Sequence, residues 1–342
     1  MSYKNKSLAL GLCLAFAICP VGHALDPVQS GFGSMKIDGL LQFWYISDQQ
    51  AGKKDDFRPR RTEIKLSGQV HPAVSWLLMI DPAKPLNVIT PAQGSTRVDP
   101  KTHLFKDLAL IFSGDEYVPG AFLQVGQFKP SFGMEGIQSS AELDFAERAA
   151  QSSVLGWSDY RDLGIMGGWK RGIWQARLGV FNGEGPNAPD ENEDKDVSAK
   201  IMLDPVPNLH LGISGYKGKG KQDRFLNERW GVEAAWSPGP WSFKGEFAAG
   251  HGATSLGSAP GRSTGYLQGA CFFHPKLQGA ARFDWWEPNT NAGRDIQNEI
   301  TLGVNWFVSK NNAKLQANYV IHNEEGPSVN NDLVRLVAQV SF

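Results

Sequence analysis

Charged side chains of both signs recur at alternate positions in several stretches of the sequence. In RPRRTEIKLSGQV, Arg61, Glu63 and Lys65 alternate with residues that include Ile64 and Leu66. Successive side chains of a β-strand point to opposite faces, so the three charged groups share one face and the two apolar groups the other. Neighbouring carboxylate, guanidinium and ammonium groups hold water and ions, and they can select between ions by charge. The pattern therefore favours the passage of ions over covalent chemistry.

A second concentration of charge lies in the connection 129–160, KPSFGMEGIQSSAELDFAERAAQSSVLGWSDY. Its charged residues include Lys129, Glu135, Glu142, Asp144, Glu147 and Arg148. Ser139 or Ser140 can cap a short helix that has Glu142 and Asp144 in its first turn. A connection of about 30 residues inside a compact fold is usually functional.

The elements that must position these groups are strands. In DIQNEITLGVNWFVS, for example, Ile300, Leu302 and Val304 share one face, and Glu299 and Thr301 share the other. Sixteen strands are predicted near residues 35–47, 57–70, 74–81, 103–113, 120–128, 161–169, 172–181, 197–204, 208–216, 229–237, 241–249, 264–273, 276–286, 296–308, 313–321 and 332–342.

The connections alternate between short and long. Short ones lie at 71–73, 170–172, 204–208, 237–240, 274–276 and 309–312, and long polar ones at 48–56, 82–102, 129–160, 182–196, 217–228, 250–263, 287–295 and 322–331. All the long connections therefore leave one end of the sheet, which is typical of an outer-membrane barrel. Lipid requires such closure, because an open sheet edge would lack hydrogen-bond partners. The predicted fold class is all-β: a closed antiparallel transmembrane β-barrel of 16 strands, with short periplasmic turns and long extracellular loops. A soluble β-sandwich is the alternative.

Both ends of the chain are consistent with a place in the outer membrane. Residues 1–24 have Lys4 and Lys6 before an apolar run and small residues near Ala24, which is the order of a secretory signal peptide. Residues 25–342 are expected to form the barrel. The last predicted strand, DLVRLVAQVSF, keeps alternating as far as Phe342. We expect it to pair with the first strand, with the Phe342 ring facing lipid, in the bacterial outer membrane.

A barrel of this size would leave an aqueous channel rather than a packed interior. The candidate residues for the pore lining or a constriction are Arg61, Glu63, Lys65, Lys129, Glu135, Glu142, Asp144, Glu147, Arg148, Arg177, Lys244 and Arg282. Folded into the barrel, the connection 129–160 would narrow the pore and set its selectivity. An external flap is the alternative arrangement.

Four stretches carry a family resemblance. DDFRPRRTEIKLSGQVHPAVSWLLMID, LFKDLALIF, FLQVGQFKPSFGMEG and SSAELDFAERA, in that order and spacing, resemble the phosphate-selective porin O and P family. The resemblance implies an outer-membrane channel that forms a homotrimer. As in bacterial outer-membrane proteins generally, it implies that the barrel-assembly machinery reads the strand ending at Phe342. The arginine ladder and lysine cluster of the family's anion channels cannot be placed on this sequence, so no phosphate-binding residue is assigned.

Three classes of function compete. Passive diffusion of small hydrophilic solutes or ions, with an anion or phosphate preference as an option, is the leading hypothesis. A barrel with a plugged lumen in a structural or adhesive role is the second, and an outer-membrane barrel enzyme is the third. We expect no enzyme, because no serine motif accompanies the histidines, and no catalytic residue is predicted.

The net charge and the composition limit the classes of partner. Without the two leader lysines the chain has 34 − 2 = 32 basic and 35 acidic residues, which gives a net charge of −3. This charge does not favour nucleic acid as a partner. No cofactor or metal is predicted, because PDENEDKD lacks the glycine and distal glutamate of a calcium loop. The expected partners are small hydrophilic solutes or inorganic anions, outer-membrane lipid, and lipopolysaccharide, whose phosphates KGKGKQDR could attract.

Overall fold

The structure is a computed structural model of the 342-residue chain. It describes residues 28–30, 33–50, 52–83, 88–89, 97–98, 105–155, 157–218, 228–254, 257–291, 296–323 and 331–342. The predicted signal peptide 1–24 lies outside these residues and stays a prediction. Within the described ranges, no helix is both long enough and apolar enough to cross a membrane.

Sixteen long strands follow one another along the chain. They are β1 (Gly33–Asp48), β2 (Asp56–His71), β3 (Val74–Ile80), β4 (Phe105–Ser113), β5 (Ala121–Phe128), β6 (Asp162–Arg171), β7 (Trp174–Phe181), β8 (Asp196–Val206), β9 (Leu209–Lys217), β10 (Glu228–Trp236), β11 (Trp241–Thr254), β12 (Gly257–His274), β13 (Leu277–Glu287), β14 (Gln297–Ser309), β15 (Ala313–Asn323) and β16 (Leu333–Ser341). Each overlaps one of the predicted strands, so the predicted order of elements is confirmed.

The strands form one closed antiparallel sheet. It contains 17 strands, of which the three-residue Val28–Ser30 pairs with the start of β1, and the other 16 form the ring. β16 pairs with β1, as in Val340 opposite Leu41, so the sheet has no open edge there. The predicted closed barrel is confirmed, and the β-sandwich alternative is wrong.

Phe342 completes the seam between β16 and β1. Its N–H donates to the Gly39 carbonyl at 3.1 Å, and the Gly39 N–H donates to the Phe342 carbonyl at 2.8 Å. The Phe342 ring lies over Gly39 so closely that a Cβ there would be 2.3 Å from Phe342 Cζ. The ring is 48% exposed on the outer face. The missing side chain of Gly39 therefore makes the space in which the terminal ring packs.

The two faces of the ring differ in polarity. On β8, Val197 and Ile201 point outward and are 39% and 51% exposed, whereas Ser198 and Lys200 point inward and are buried. Large apolar side chains such as Leu267, 70% exposed, cover the rest of the outer wall. An apolar exterior around a polar interior is the arrangement of a barrel that stands in lipid.

The short turns lie together at one end of the ring. Gly172 and Asn208 have φ values of +58° and +67° in the β6–β7 and β8–β9 turns, a left-handed conformation that glycine and asparagine adopt readily in tight turns. Trp174, Trp236 and Trp241 stand beside these turns and are 50%, 49% and 50% exposed, as in an aromatic belt at a membrane boundary. The strand ends that flank the remaining connections lie at the opposite end of the ring, so the predicted asymmetry is confirmed.

One predicted loop is largely strand. Residues 250–263 were expected to be a loop, but β11 continues to Thr254 and β12 begins at Gly257, with Gly252 opposite Ala259. The stretch GHGATSLGSAPGR lacks alternating apolar side chains. Strand pairing depends on backbone hydrogen bonds, and apolar side chains are needed only where a strand contacts lipid. The alternating sequence pattern therefore ends before the strands end.

Candidate constriction site

The connection between β5 and β6 lies inside the barrel. We call the described residues of this connection, 129–155 and 157–161, the inserted segment. Its backbone N–H groups donate to inward-facing side chains on widely separated strands: Gly133 to Ser214 Oγ on β9 at 3.1 Å, Ala150 to Asp284 on β13 at 2.9 Å, and Ala146 to Asn318 on β15 at 2.8 Å. These contacts place the segment in the lumen, which an external flap would not occupy.

Short helical turns shape the inserted segment. Ser139 Oγ accepts the Ala141 N–H at 3.3 Å and caps a 3-10 turn at Ser140–Glu142, so the predicted serine cap is confirmed at Ser139. Asp144 was expected in the first turn, but it lies beyond the end of this three-residue turn. A five-residue helix, α1, spans Ala150–Val154.

Glu246 on β11 holds the first part of the segment. Its two carboxylate oxygens accept the N–H groups of Met134 at 2.7 Å and Glu135 at 2.8 Å. The Tyr266 hydroxyl donates to the same carboxylate at 2.8 Å, and Gln151 Nε2 at 3.3 Å. Sequence reasoning does not single out Glu246, because its partners are distant in sequence.

Asp144 connects the middle of the segment to two strands of the wall. Its carboxylate accepts hydrogen bonds from Lys244 Nζ on β11 and Gln268 Nε2 on β12, each at 2.6 Å. The adjacent Leu143 carbonyl accepts from Lys314 Nζ on β15 at 2.8 Å. Two candidate residues, Asp144 and Lys244, are thus brought together as a half-buried ion pair that connects the segment to the wall.

Glu147 and Arg282 tie the segment to two further parts of the wall. The Glu147 carboxylate forms ion pairs with the guanidinium groups of Arg60 at 3.0 Å and Arg61 at 3.2 Å. Both guanidinium groups also lie over the Trp44 ring. Arg282 on β13 donates to the Glu147 carbonyl at 3.1 Å. Arg61 and Arg282 therefore both bind the segment at Glu147.

Glu135 and Arg148 lie within the segment itself. Arg148 donates to the Glu135 carbonyl at 2.9 Å and the Gln138 carbonyl at 2.6 Å. The Glu135 carboxylate accepts the Ala149 N–H at 2.5 Å, and burial raises the pKa of Glu135 to about 7. Both side chains are more than nine-tenths buried, so their contacts set the shape of the segment.

An aromatic cluster packs the other end of the segment against the wall. Trp157 lies 5.2 Å from Phe132, 5.0 Å from Tyr160 and 4.9 Å from Tyr216 on β9, measured between ring centroids. The Arg229 guanidinium is 4.6 Å from the Trp157 ring. Aromatic pairs and a desolvated cation over a ring each add to the stabilisation from burial.

A cavity of about 620 Å³ remains beside the inserted segment. We call it the lumen cavity. The segment forms one side of it, and inward-facing residues of β2–β5 and β7–β10 form the other. Of the candidate residues, Glu63, Lys65, Lys129, Glu142 and Arg177 line this space. Arg61, Glu135, Asp144, Glu147, Arg148, Lys244 and Arg282 belong instead to the contacts described above.

Most carboxylates of the lumen cavity lie in ion pairs. Glu63 pairs with Lys106 at 2.6 Å, and Glu233 pairs with Lys200 at 2.7 Å. Asp107 pairs with Arg161 at 3.0 Å. Sequence reasoning places charges on this face but cannot show which of them neutralise one another.

Two cations of the lumen cavity are not neutralised in this way. Within the described part of the chain, Lys65 and Arg177 have no carboxylate within ion-pair distance, although Arg177 approaches Ser131 Oγ at 3.5 Å. Lys129 Nζ donates to the Gly136 carbonyl at 3.1 Å. Burial, with Arg148 and Arg161 nearby, lowers the pKa of Lys129 to about 7. The cavity thus offers cationic groups to a solute.

The family follows from a comparison with known proteins. The family model described as "Phosphate-selective porin O and P" matches residues 42–226 and 218–342. The chain belongs to that family. It is therefore a porin, a passive channel of the bacterial outer membrane. No curated protein matches the sequence.

Solved structures show the same fold for this porin. The anion-selective porin from Comamonas acidovorans has a TM-score of 0.65 and 12% identity, covering 91% of this chain and 100% of that one. Salmonella typhi OmpF, in complex with daunomycin, has a TM-score of 0.65 and 11% identity, covering 93% and 100%. A loop L8 deletion mutant of OmpT from Vibrio cholerae has a TM-score of 0.65 and 10% identity, and the match covers 91% of this chain and 100% of that one. At these identities the likeness shows the fold alone.

Proposed function

We propose that the inserted segment is the constriction of this porin and that solutes pass through the lumen cavity beside it. Small hydrophilic solutes and ions would cross passively, with a preference for anions. The observation that carries the proposal is the difference in pairing: the unpaired cations Lys65 and Arg177 face the cavity, while Glu63 and Glu233 are neutralised. Unpaired charges dominate selectivity, because paired charges cancel at the distance of a passing ion.

Glu142 opposes this preference. It is exposed at the lumen cavity, and no cation within the described residues forms an ion pair with it. We expect it to keep the channel only moderately anion-selective. Inorganic phosphate is then one of several small anions that pass.

The other parts of the proposal concern activity and partners. We propose that the porin has no enzymatic activity: His210 at the lumen cavity contacts Asp204 at 2.8 Å and Glu233 at 2.9 Å, and neither contact provides a serine nucleophile. We also propose a homotrimer, since a trimer form of the structurally similar OmpT of Vibrio cholerae is known. Outer-membrane lipid, lipopolysaccharide and the barrel-assembly machinery, acting through the Phe342 strand, complete the proposed partners.

Reversal potentials in planar bilayers test the proposal. Under a potassium chloride gradient, the wild-type porin should give an anion-selective potential, and Lys65→Gln with Arg177→Gln should move it toward cation selectivity. Lys310→Gln is the matched control, because Lys310 is exposed in the short turn after β14. Equal potentials in all three proteins would contradict the proposed route. Absence of any conductance would favour the plugged barrel.

A further inference from the structure

The lumen cavity has apolar side chains among its charged ones, where a water-filled pore is expected to be polar throughout. Leu77 and Met79 on β3 line it from the wall, and Met134 and Ile137 line it from the inserted segment. All four side chains are half-buried and keep part of their surface open. Barrel channels generally have a polar interior, so apolar groups on both sides of the narrow space call for a solute that contacts them.

The apolar groups stand next to the unpaired cations. Lys65 on β2 is directly opposite Met79 on β3, and side chains of directly opposed residues lie on the same face. On the other side, Met202 on β8 is directly opposite Gln175 on β7. Arg177 lies two residues after Gln175 on the same face, so Arg177 and Met202 are diagonal neighbours. Each cation is thus beside a methionine that lines the same cavity.

The segment side of this arrangement is held firmly. Glu246 accepts the Met134 N–H at 2.7 Å, and Lys129 Nζ donates to the carbonyl of Gly136 at 3.1 Å, next to Ile137. The backbone that carries the apolar side chains of the segment is therefore held in place in the lining that also contains Leu77 and Met79. The cavity volume of about 620 Å³ falls within the roughly 300–1,000 Å³ of small-molecule pockets.

We propose that the lumen cavity binds small organic carboxylates that carry a hydrocarbon body. The carboxylate would contact Lys65 or Arg177, and the hydrocarbon would contact Leu77, Met79 and Ile137. This inference rests on the proposed route through the lumen cavity and names its substrate class. A fully hydrated inorganic ion such as phosphate can use the cations but gains nothing from the apolar side chains, so the site favours monocarboxylates with longer chains.

Block of chloride current by acetate, butyrate and hexanoate tests the proposal. Burial of a methylene group strengthens binding by about fourfold, and half-burial by about twofold. Four added methylenes should therefore lower the half-blocking concentration by about 16-fold from acetate to hexanoate. Inorganic phosphate, the comparison probe, should need a higher concentration than hexanoate.

Two variants separate the apolar and cationic contributions. Leu77→Gln with Met79→Gln should reduce the acetate-to-hexanoate ratio to below about twofold, because the loss of apolar contact weakens block by hexanoate most. Lys65→Gln should weaken block by every carboxylate to a similar degree. Arg335→Gln, a lumen-facing cation on β16 outside the lumen cavity, is the control and should change neither. Ile137→Gln tests the same point from the segment if the β3 variant does not fold.

The outcomes separate this inference from the proposed function. Chloride current with equal block along the carboxylate series, or block by phosphate at lower concentration than by hexanoate, would overturn the substrate class and leave the channel in place. A chain-length effect that persists in the Leu77 and Met79 variant would also overturn it. Absence of chloride current in the wild-type porin would contradict the proposed function itself.

Discussion

Glu246→Gln changes one atom of the contact that holds the inserted segment to β11. One carboxylate oxygen accepts from Met134 N and Gln151 Nε2, and the other accepts from Glu135 N and Tyr266. An amide keeps a single oxygen, so whichever way it turns, one backbone N–H faces a donor instead of an acceptor. A buried donor left without a partner costs about 1–3 kcal/mol.

The expected effect is a looser constriction. A cost of about 2 kcal/mol changes the equilibrium between the docked and undocked segment by about 30-fold. Single-channel recordings of Glu246→Gln should therefore show frequent openings to a higher conductance than the wild-type level. Tyr266→Phe removes one donor but keeps both backbone hydrogen bonds, so it should show few such openings. Identical conductance and current noise in Glu246→Gln, Tyr266→Phe and wild type would refute this account of the segment.

Two further predictions concern charge and the barrel seam. Because the pKa of Lys129 is lowered to about 7 by burial, this lysine gains positive charge as the pH falls from 8 to 6, and anion selectivity should rise over that range. Lys129→Met should reduce the rise, leaving the part due to Glu135, whose pKa is also about 7, and an unchanged pH profile would contradict the assignment. Gly39→Ala places a Cβ 2.3 Å from the Phe342 ring, and such overpacking should lower the free energy of unfolding in detergent by about 1–3 kcal/mol. Gly279→Ala is the control, because a Cβ there would lie 3.7 Å from the Phe273 ring, and equal losses in both variants would contradict the seam packing.

Sequence reasoning could predict the barrel because its signals are local. Alternation along a strand depends on which side chains face lipid, as for Ile64 beside Glu63, and short turns carry their own residues, such as Asn208. The pattern failed where lipid no longer imposes it: β11 and β12 extend through 250–263 by backbone pairing alone. Strand existence was thus predictable, and strand length beyond the membrane was not.

The candidate site was less predictable for a different reason. Lys65 and Arg177 could be placed on the inner face, but their lack of a partner depends on pairs such as Lys106 with Glu63, which are 43 positions apart. Glu246 became important only because the inserted segment folds back to it, more than 100 positions along the chain. Such contacts between distant segments leave no periodic signal in a single sequence.

Cysteine modification at Lys65 during recording tests the central claim most directly. Cys271 is the single cysteine of residues 25–342, so Lys65→Cys in a Cys271→Ser background gives one reactive thiol at the lumen cavity. A bulky methanethiosulfonate reagent should sharply reduce the current of this variant, and it should leave that of Lys310→Cys in the same background unchanged. Complete modification of Lys65→Cys without a change in current would contradict the route beside the inserted segment.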